Sequence, residues 1–174
     1  MYLTFAKANE ESDKTISAIL DKMSNEDREK NRKSYYGSLS NLFCHIAGGT
    51  YYFLTMFKES MKGNPAAFKA LEALDKISIP EGKKFDEAGW KKISEAVKAA
   101  DKVYVNFAAA LCEKDLSAPV KVNWYKGKPE TVPLSFMLGQ LIAHGIHHRG
   151  QISQILDSLN IDNDYSGINV KFLK

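Results

Sequence analysis

The sequence has 174 residues, of which 44% are hydrophobic and 26% charged, with a net charge of +3. This balance is typical of a folded globular protein, and the basic excess is too small to indicate a nucleic-acid-binding surface. The only cysteines, Cys44 and Cys112, exclude a disulfide framework and a four-thiolate zinc site. We therefore expect a single domain over residues 1–174 with a core large enough to need no cross-links.

No targeting or membrane segment is visible in the sequence. The N-terminal stretch MYLTFAKANEESDK carries acidic residues and lacks the apolar centre of a signal peptide. The most apolar stretch, residues 103–112, is too short to cross a bilayer. We expect a cytoplasmic protein that binds neither membrane nor nucleic acid.

Four long segments carry apolar residues at the spacing of an amphipathic helix. In chain order they are Thr4–Met23, Ser38–Met61, a third that begins after the N-cap residue Asp86 and runs to Leu111, and Leu134–Leu159. Pro133 precedes the fourth segment and suits the start of a helix. These segments predict an all-α protein built on four helices.

The connections between these helices differ in character. Residues 24–37 are charged, and residues 62–85 contain a short amphipathic piece at 66–77. Between the third and fourth helices, alternating apolar residues around a Lys-Gly-Lys-Pro turn at 126–129 predict a short β-hairpin. The pattern indicates a four-helix bundle with a hairpin before the last helix, and its long connections permit up-down-down-up topology.

Three of the four histidines lie in the segment LIAHGIHHRGQISQIL of the fourth helix. Each helical residue turns about 100°, so His144 and His148 lie about 40° apart on successive turns. His148 falls inside the apolar stripe of this helix and His144 falls at its margin, whereas His147 points about 100° away from His148. The geometry therefore predicts that His144 and His148 face the bundle interior and that His147 faces outward.

The fourth histidine repeats this arrangement on the second helix. His45 lies at the edge of that helix's apolar face, and Cys44 points elsewhere. Gly48 and Gly49 follow, and their lack of side chains leaves volume beside the imidazole or allows close helix approach.

Two imidazoles at i and i+4 and a third from a facing helix can converge on one ion and leave a coordination position open. We therefore predict a metal site formed by His45, His144 and His148. Such a nitrogen set favours Zn or Ni; Fe is a weaker candidate because no carboxylate is evident in the set, and Mn is also possible. Gln151 or Gln140 could orient a ligand by hydrogen bonding.

The other candidate residues are weaker. Cys44 and Cys112 are interpreted as small core or interhelical residues, since neither has a base on the same face nearby. The sequence contains no G-x-S-x-G, glycine-rich phosphate loop or H-E-x-x-H motif. No catalytic residue can be named from these patterns.

The chain resembles the DinB-like family of helical-bundle metalloproteins. The resemblance rests on FAKANE in the first helix, LSNLFCHIAGGTYYF in the second and HGIHHRGQI in the fourth, and it covers residues 5–159. It implies an up-down-down-up four-helix bundle, a divalent metal held by His45, His144 and His148, and a homodimer. Related bundles in the wider superfamily are thiol-dependent S-transferases and isomerases, which implies a small-molecule substrate, with a thiol as one candidate.

Three functions follow as hypotheses. The first is a metal-dependent enzyme of the thiol S-transferase or hydrolase type, with an open three-histidine site. The second is a non-catalytic, stress-related dimer whose ion ties the second and fourth helices together. The third is a metal-free interaction protein in which the histidines form a polar cluster.

Overall fold

The structure, a computed structural model, describes residues 1–123 and 128–173. Within these ranges the elements are α1 (Tyr2–Leu20), α2 (Asn25–Glu29), α3 (Leu39–Lys58), α4 (Pro65–Glu72), α5 (Glu87–Ala110), β1 (Pro119–Val122), β2 (Glu130–Pro133) and α6 (Leu134–Ser158). Short 3-10 helices lie at Glu59–Met61, Ala73–Lys76, Glu113–Ser117 and Val170–Leu173. No helix in the described ranges is long and apolar enough to cross a membrane.

The four predicted helices correspond to α1, α3, α5 and α6. Two of them start at side-chain caps: the Ser38 hydroxyl accepts a hydrogen bond from the Asn41 N–H (3.1 Å), and the Asp86 carboxylate accepts one from the Gly89 N–H (2.7 Å). These caps satisfy backbone donors that lack a partner within the helix. The predicted start of the third helix at Asp86 is therefore confirmed.

The first helix ends earlier than the predicted Met23. Arg28, on α2, is 1% exposed, and its guanidinium donates to the Leu20 carbonyl (3.1 Å) and to that of Met23. The Leu20 carbonyl also accepts the Met23 N–H (3.1 Å), so Arg28 adds a second donor there and a donor to the Met23 carbonyl just beyond α1, where intrahelical N–H partners run out. The charged connection thus contains a short helix that apolar periodicity did not indicate.

The long helices pack so that α1 and α3 each contact both α5 and α6, while α4 lies against α5. The predicted β-hairpin is present as an antiparallel pair in which Val120 faces Val132. Of its predicted turn, residues 126 and 127 lie outside the described ranges. Two apolar clusters form the core, one around Phe57 and Phe107 and the other around Phe43 and Trp90. The fold class is all-α with one small hairpin.

A charged network crosses the interior of the bundle between α1, α5 and α6. Asn9 donates through its amide nitrogen to Asp13 (3.0 Å) and to Asp101 (2.8 Å). Arg149 donates to the side-chain oxygen of Asn9 (2.6 Å) and lies 3.4 Å from an oxygen of Asp13. Both carboxylates are almost completely buried. Burial outweighs the nearby Arg149 and raises the pKa of Asp13 to about 6 and that of Asp101 well above its usual range.

This network predicts an unusual pH dependence. The pKa of Asp13 is higher in the folded protein, at about 6, than in an unfolded chain, at about 3.9. Between these values the native state binds more protons, so the contribution of Asp13 to stability improves as the pH falls. We expect the free energy of unfolding of the wild type to rise relative to that of Asp13→Asn between pH 7 and pH 4.

The measurement is urea unfolding of both proteins at four pH values with chelator present. Any histidine titration is common to the two chains and cancels in the difference. Asp13 faces Arg149 from α6 and Asp101 from α5, and Asp101 in turn feels the charge of Glu10 on α1. A difference that stays constant from pH 7 to pH 4 would show that Asp13 is ionised normally in the folded protein.

Candidate metal centre

Three histidine side chains meet between two helices, where α3 supplies one and α6 supplies two. His144 and His148 are separated by one helical turn, so their rings project from the same side of α6. His45 reaches them from α3, with which α6 is in direct contact. His148 is buried, and the other two are half-buried. The structure therefore brings together the three residues predicted as metal ligands.

The ring nitrogens are close enough to share one ion. His45 Nε2 lies 3.0 Å from His144 Nε2 and 3.1 Å from His148 Nε2. One ligand nitrogen from each ring can be chosen so that all three lie within 4.8 Å of one another. Two nitrogens bound tetrahedrally to zinc at about 2.0–2.1 Å would be about 3.3 Å apart. No carboxylate or thiol joins this group among the described residues.

Hydrogen bonding alone does not account for these contacts. His45 Nε2 has three polar neighbours, because the Tyr36 hydroxyl also lies 2.8 Å from it. An imidazole nitrogen carries either one N–H or one lone pair, so it cannot form three good hydrogen bonds in the ring plane. The buried Nδ1 of His144 also lacks a hydrogen-bond partner in the described part of the chain. A shared cation would satisfy the converging Nε2 atoms, although not the Nδ1 of His144, so these residues fit a metal.

Gly49 makes room for the cluster. A Cβ atom at this position would lie 2.2 Å from His144 Cε1 and less than 3 Å from both ring nitrogens. Such distances are far inside van der Waals contact, so no side chain fits while His144 keeps its present position. Gly49 is therefore part of the cavity that holds the His144 ring against α3.

The environment keeps the imidazoles neutral. Burial, reinforced by the neighbouring rings, lowers the pKa of His45 and of His144 to about 4, and burial also lowers that of His148. At neutral pH each ring therefore has a lone pair available for a metal. The arrangement suits cation binding and disfavours positively charged histidines.

Gln151 orients one of the three rings. Its side-chain oxygen lies 2.8 Å from His148 Nδ1, where it accepts a hydrogen bond from that N–H. With the proton on Nδ1, the lone pair is on Nε2, the atom that faces His45. Of the two glutamines predicted to orient a ligand, Gln151 therefore makes such a contact.

We expect Gln151→Leu to weaken divalent-metal affinity by about 10–100-fold, because the His148 ring loses the partner that fixes its tautomer and orientation. Gln140→Leu is the matched control, since Gln140 is exposed and lies on the same helix. Competitive titration with a metallochromic chelator measures both affinities. Equal affinity of the two variants would contradict an orienting role for Gln151.

Tyr36 is the residue of this site that the sequence did not reveal. Its ring stacks on His45 with centroids 4.2 Å apart, and its hydroxyl reaches His45 Nε2. The turn that carries it closes with a hydrogen bond from the Gly37 N–H to the Ser34 carbonyl (3.0 Å), and Gly37 has a φ of +78°. That backbone conformation favours glycine. The only sequence signal was an aromatic pair before a glycine, in the charged connection between the first two predicted helices.

The remaining candidates lie outside the cluster. His147 is exposed, as its angle on the helix predicted. Cys44 is buried, and its thiol donates to the Pro80 carbonyl (3.3 Å). Cys112 is exposed and contacts Asp115 just beyond the end of α5, so of its two interpretations, core or interhelical, the core one is wrong.

A comparison with protein families matches the profile of the DinB family to residues 1–159 of the chain. No curated protein matches it. The match covers all four long helices and includes the three clustered histidines. The chain therefore belongs to the DinB family.

Proposed function

We propose that this protein is a divalent-metal-dependent enzyme of the thiol S-transferase or hydrolase type. His45, His144 and His148 would hold the ion. The observation that carries the proposal is the convergence of three neutral imidazoles from two helices, a group that no other histidine, cysteine or carboxylate of the described ranges joins. A three-nitrogen set of this kind leaves a coordination position for a substrate.

Nickel or zinc is the proposed metal. Imidazole nitrogens suit both ions, whereas the histidine sites of Fe(II) enzymes usually include a carboxylate. When bound, such an ion lowers the pKa of a coordinated thiol or water and so supplies a nucleophile at neutral pH. Fe and Mn rank below nickel and zinc because the cluster contains only nitrogen donors.

Substrate would reach the histidines from the cavity beside His45. This cavity has a volume of about 640 Å³ and is lined by Tyr36, Asn41 and Lys83 as well as by His45. A volume in this range accommodates a small molecule. Lys83 is exposed at its wall, so an anionic group on the substrate would meet a positive charge there.

The thiol of the proposed reaction must come from a second substrate. Burial raises the pKa of Cys44 to about 11, so this cysteine is protonated at neutral pH and is a poor nucleophile. In S-transfer, the substrate sulfur forms a bond to an electrophilic carbon as the bond to the leaving group breaks, and the thiol proton passes to the leaving group or to solvent. The Tyr36 hydroxyl, beside His45 Nε2, is placed to hold or pass that proton.

The proposal extends to architecture, assembly and location. We propose one bundle domain over residues 1–174 with up-down-down-up topology. Its support is the packing of α1 and α3 against both α5 and α6, together with the long connections between the helices. A cytoplasmic homodimer completes the proposal and rests on the family resemblance and on the sequence.

The test is metal analysis of protein purified without an affinity tag, followed by a thiol-transfer and ester-hydrolysis screen. We expect activity to disappear on chelation and to return with one particular ion among nickel, zinc, iron and manganese. His148→Ala should remove the activity. His147→Ala, which changes an exposed neighbouring residue, should retain it. Thiol-consuming activity that survives His148→Ala would overturn the proposal.

A non-catalytic metal-binding bundle is the second candidate. The closeness of the Tyr36 hydroxyl to His45 Nε2 favours this candidate, because the hydroxyl would lie beside the coordination position that a substrate would use. In that case the ion ties α3 to α6 and its binding energy contributes mainly to folding. A large increase in melting temperature with metal, combined with no turnover in the screen, would support this candidate.

A further inference from the structure

A second cavity lies on another side of α6, between that helix, α1 and the C-terminal strap, which we define as residues 161–173. Its volume is about 280 Å³, and none of the three clustered histidines lines it. Its wall is largely apolar and includes Phe5, Ile142, Ile146 and Ile168. Ile146 and Ile168 are also exposed, at 58% and 50%, which makes the entrance apolar.

Arg149 brings a positive charge to this apolar cavity. Its side chain lines the cavity although the residue is only 9% exposed. Nη1 donates to Asn9 and lies 3.4 Å from Asp13, whereas Nε and Nη2 have no hydrogen-bond partner among the residues described. Most buried hydrogen-bond donors in proteins have a partner. The unpaired N–H groups of this guanidinium can therefore donate to an acceptor on a ligand.

The acidic neighbours of Arg149 do not use all the hydrogen-bond donors of its guanidinium. The contact with Asp13 is long, at 3.4 Å, and Asp101 bonds to Asn9. Burial raises the pKa of both carboxyl groups, so they hold their negative charge weakly. Tyr104 also lines the cavity, and its buried hydroxyl has no partner in the part of the chain described. The side of the cavity formed by Arg149 and Tyr104 therefore presents unpaired hydrogen-bond donors to a ligand.

The strap gives the cavity its outer wall and is fixed to the helices at both sides. Tyr165 donates through its hydroxyl to the Arg149 carbonyl (3.1 Å), and the Ser12 hydroxyl donates to the Tyr165 carbonyl (3.1 Å). The family match ends at residue 159, so the strap lies outside the matched region. The outer wall of this cavity is thus formed by the C-terminal strap, a segment that the family profile does not include.

We infer that this cavity binds a small monocarboxylate with a compact apolar body, whose carboxylate pairs with Arg149. A planar guanidinium matches a carboxylate through two parallel hydrogen bonds, which a neutral ligand cannot reproduce with the same strength. The apolar wall would take an aryl or short alkyl group. The cavity volume of about 280 Å³ lies just below the roughly 300–1,000 Å³ typical of ligand pockets and therefore limits the ligand to a small molecule.

The test uses 4-phenylbutyrate and octanoate, each paired with its primary amide, and measures affinity by calorimetry. Carboxylates also bind metals, so the protein is the full chain carrying His45→Ala, kept in chelator; His45 does not line this cavity. We expect each carboxylate to bind at least about tenfold more tightly than its amide. Equal affinities, or no carboxylate binding at about 10 mM, would overturn the inference.

Substitutions at Gly150 and at Arg149 test whether the carboxylate binds in this cavity. Gly150 lines the cavity, and a Cβ there would meet no atom within 4 Å. We therefore expect Gly150→Phe to weaken carboxylate binding at least about tenfold and Gly150→Ala to leave it within about twofold. Arg149→Met should remove the preference for carboxylate over amide; if that variant does not fold, the Gly150 pair decides. Unchanged binding in Gly150→Phe would contradict this location.

Discussion

Replacing His45 with alanine is expected to abolish stoichiometric binding of nickel or zinc. His45 Nε2 lies within 3.1 Å of the nearest nitrogens of both other rings, so it is the shared point of the cluster. Without it, the two remaining ligands come from one helix, and nothing ties the ion to α3. We expect the affinity to fall by more than the roughly 100-fold that loss of an orienting partner can cost.

His147→Ala is the matched control for this variant. Its ring centroid lies 4.8 Å from that of His148, yet its side chain is exposed and outside the cluster. Isothermal titration of untagged, chelator-treated protein should therefore show a loss in His45→Ala and none in His147→Ala. Nearly wild-type affinity in His45→Ala would mean that the three rings do not bind a common ion.

His45→Ala and His147→Ala should also differ in how much added metal raises their melting temperatures. An ion that binds only the folded state stabilises it by about 2.7 kcal/mol at one hundred times its dissociation constant. Adding metal should raise the melting temperature of the wild type and of His147→Ala, and leave that of His45→Ala unchanged. Without metal we expect His45→Ala to differ from the wild type by about 1 kcal/mol or less, because His45 is only half-buried.

The long helices could be predicted because their apolar residues recur at the helical period, and two of them, α3 and α5, also start at a side-chain cap. The same periodicity fixed the inward direction of His144 and His148, since an angle on a helix follows from residue spacing alone. The placement of His45 against them also followed from its helix face. This part of the site depends on local geometry, which a sequence contains directly.

Tyr36 and Arg149 show why the rest could not be predicted. The position of Tyr36 depends on a left-handed turn at Gly37 and on how the 24–37 connection folds over α3. Arg149 is buried because Asn9 and Asp13 on another helix meet it. Neither pairing leaves a periodic trace, since both join residues far apart in the chain.

Gly49→Ala is expected to disrupt the centre although it adds a single methyl group. In most helices a glycine-to-alanine change stabilises by about 0.5–1 kcal/mol, because alanine loses less backbone entropy on folding. At this position the new Cβ would lie 2.2 Å from His144 Cε1, so the ring or the helix must move. We expect a net destabilisation of about 1–3 kcal/mol and a loss of metal affinity of at least about 100-fold.

The neighbouring glycine provides the control. A Cβ at Gly48 would lie 3.7 Å from a methyl group of Ile79, an ordinary van der Waals contact. Gly48→Ala should therefore keep wild-type metal affinity and be as stable as the wild type or up to about 1 kcal/mol more stable. The two variants share a helix, a substitution and an entropic gain, so only the contact with His144 distinguishes them. If Gly49→Ala bound metal as tightly as Gly48→Ala, the imidazole of His144 would not need its present position against α3, and it would not be a ligand of a three-histidine centre.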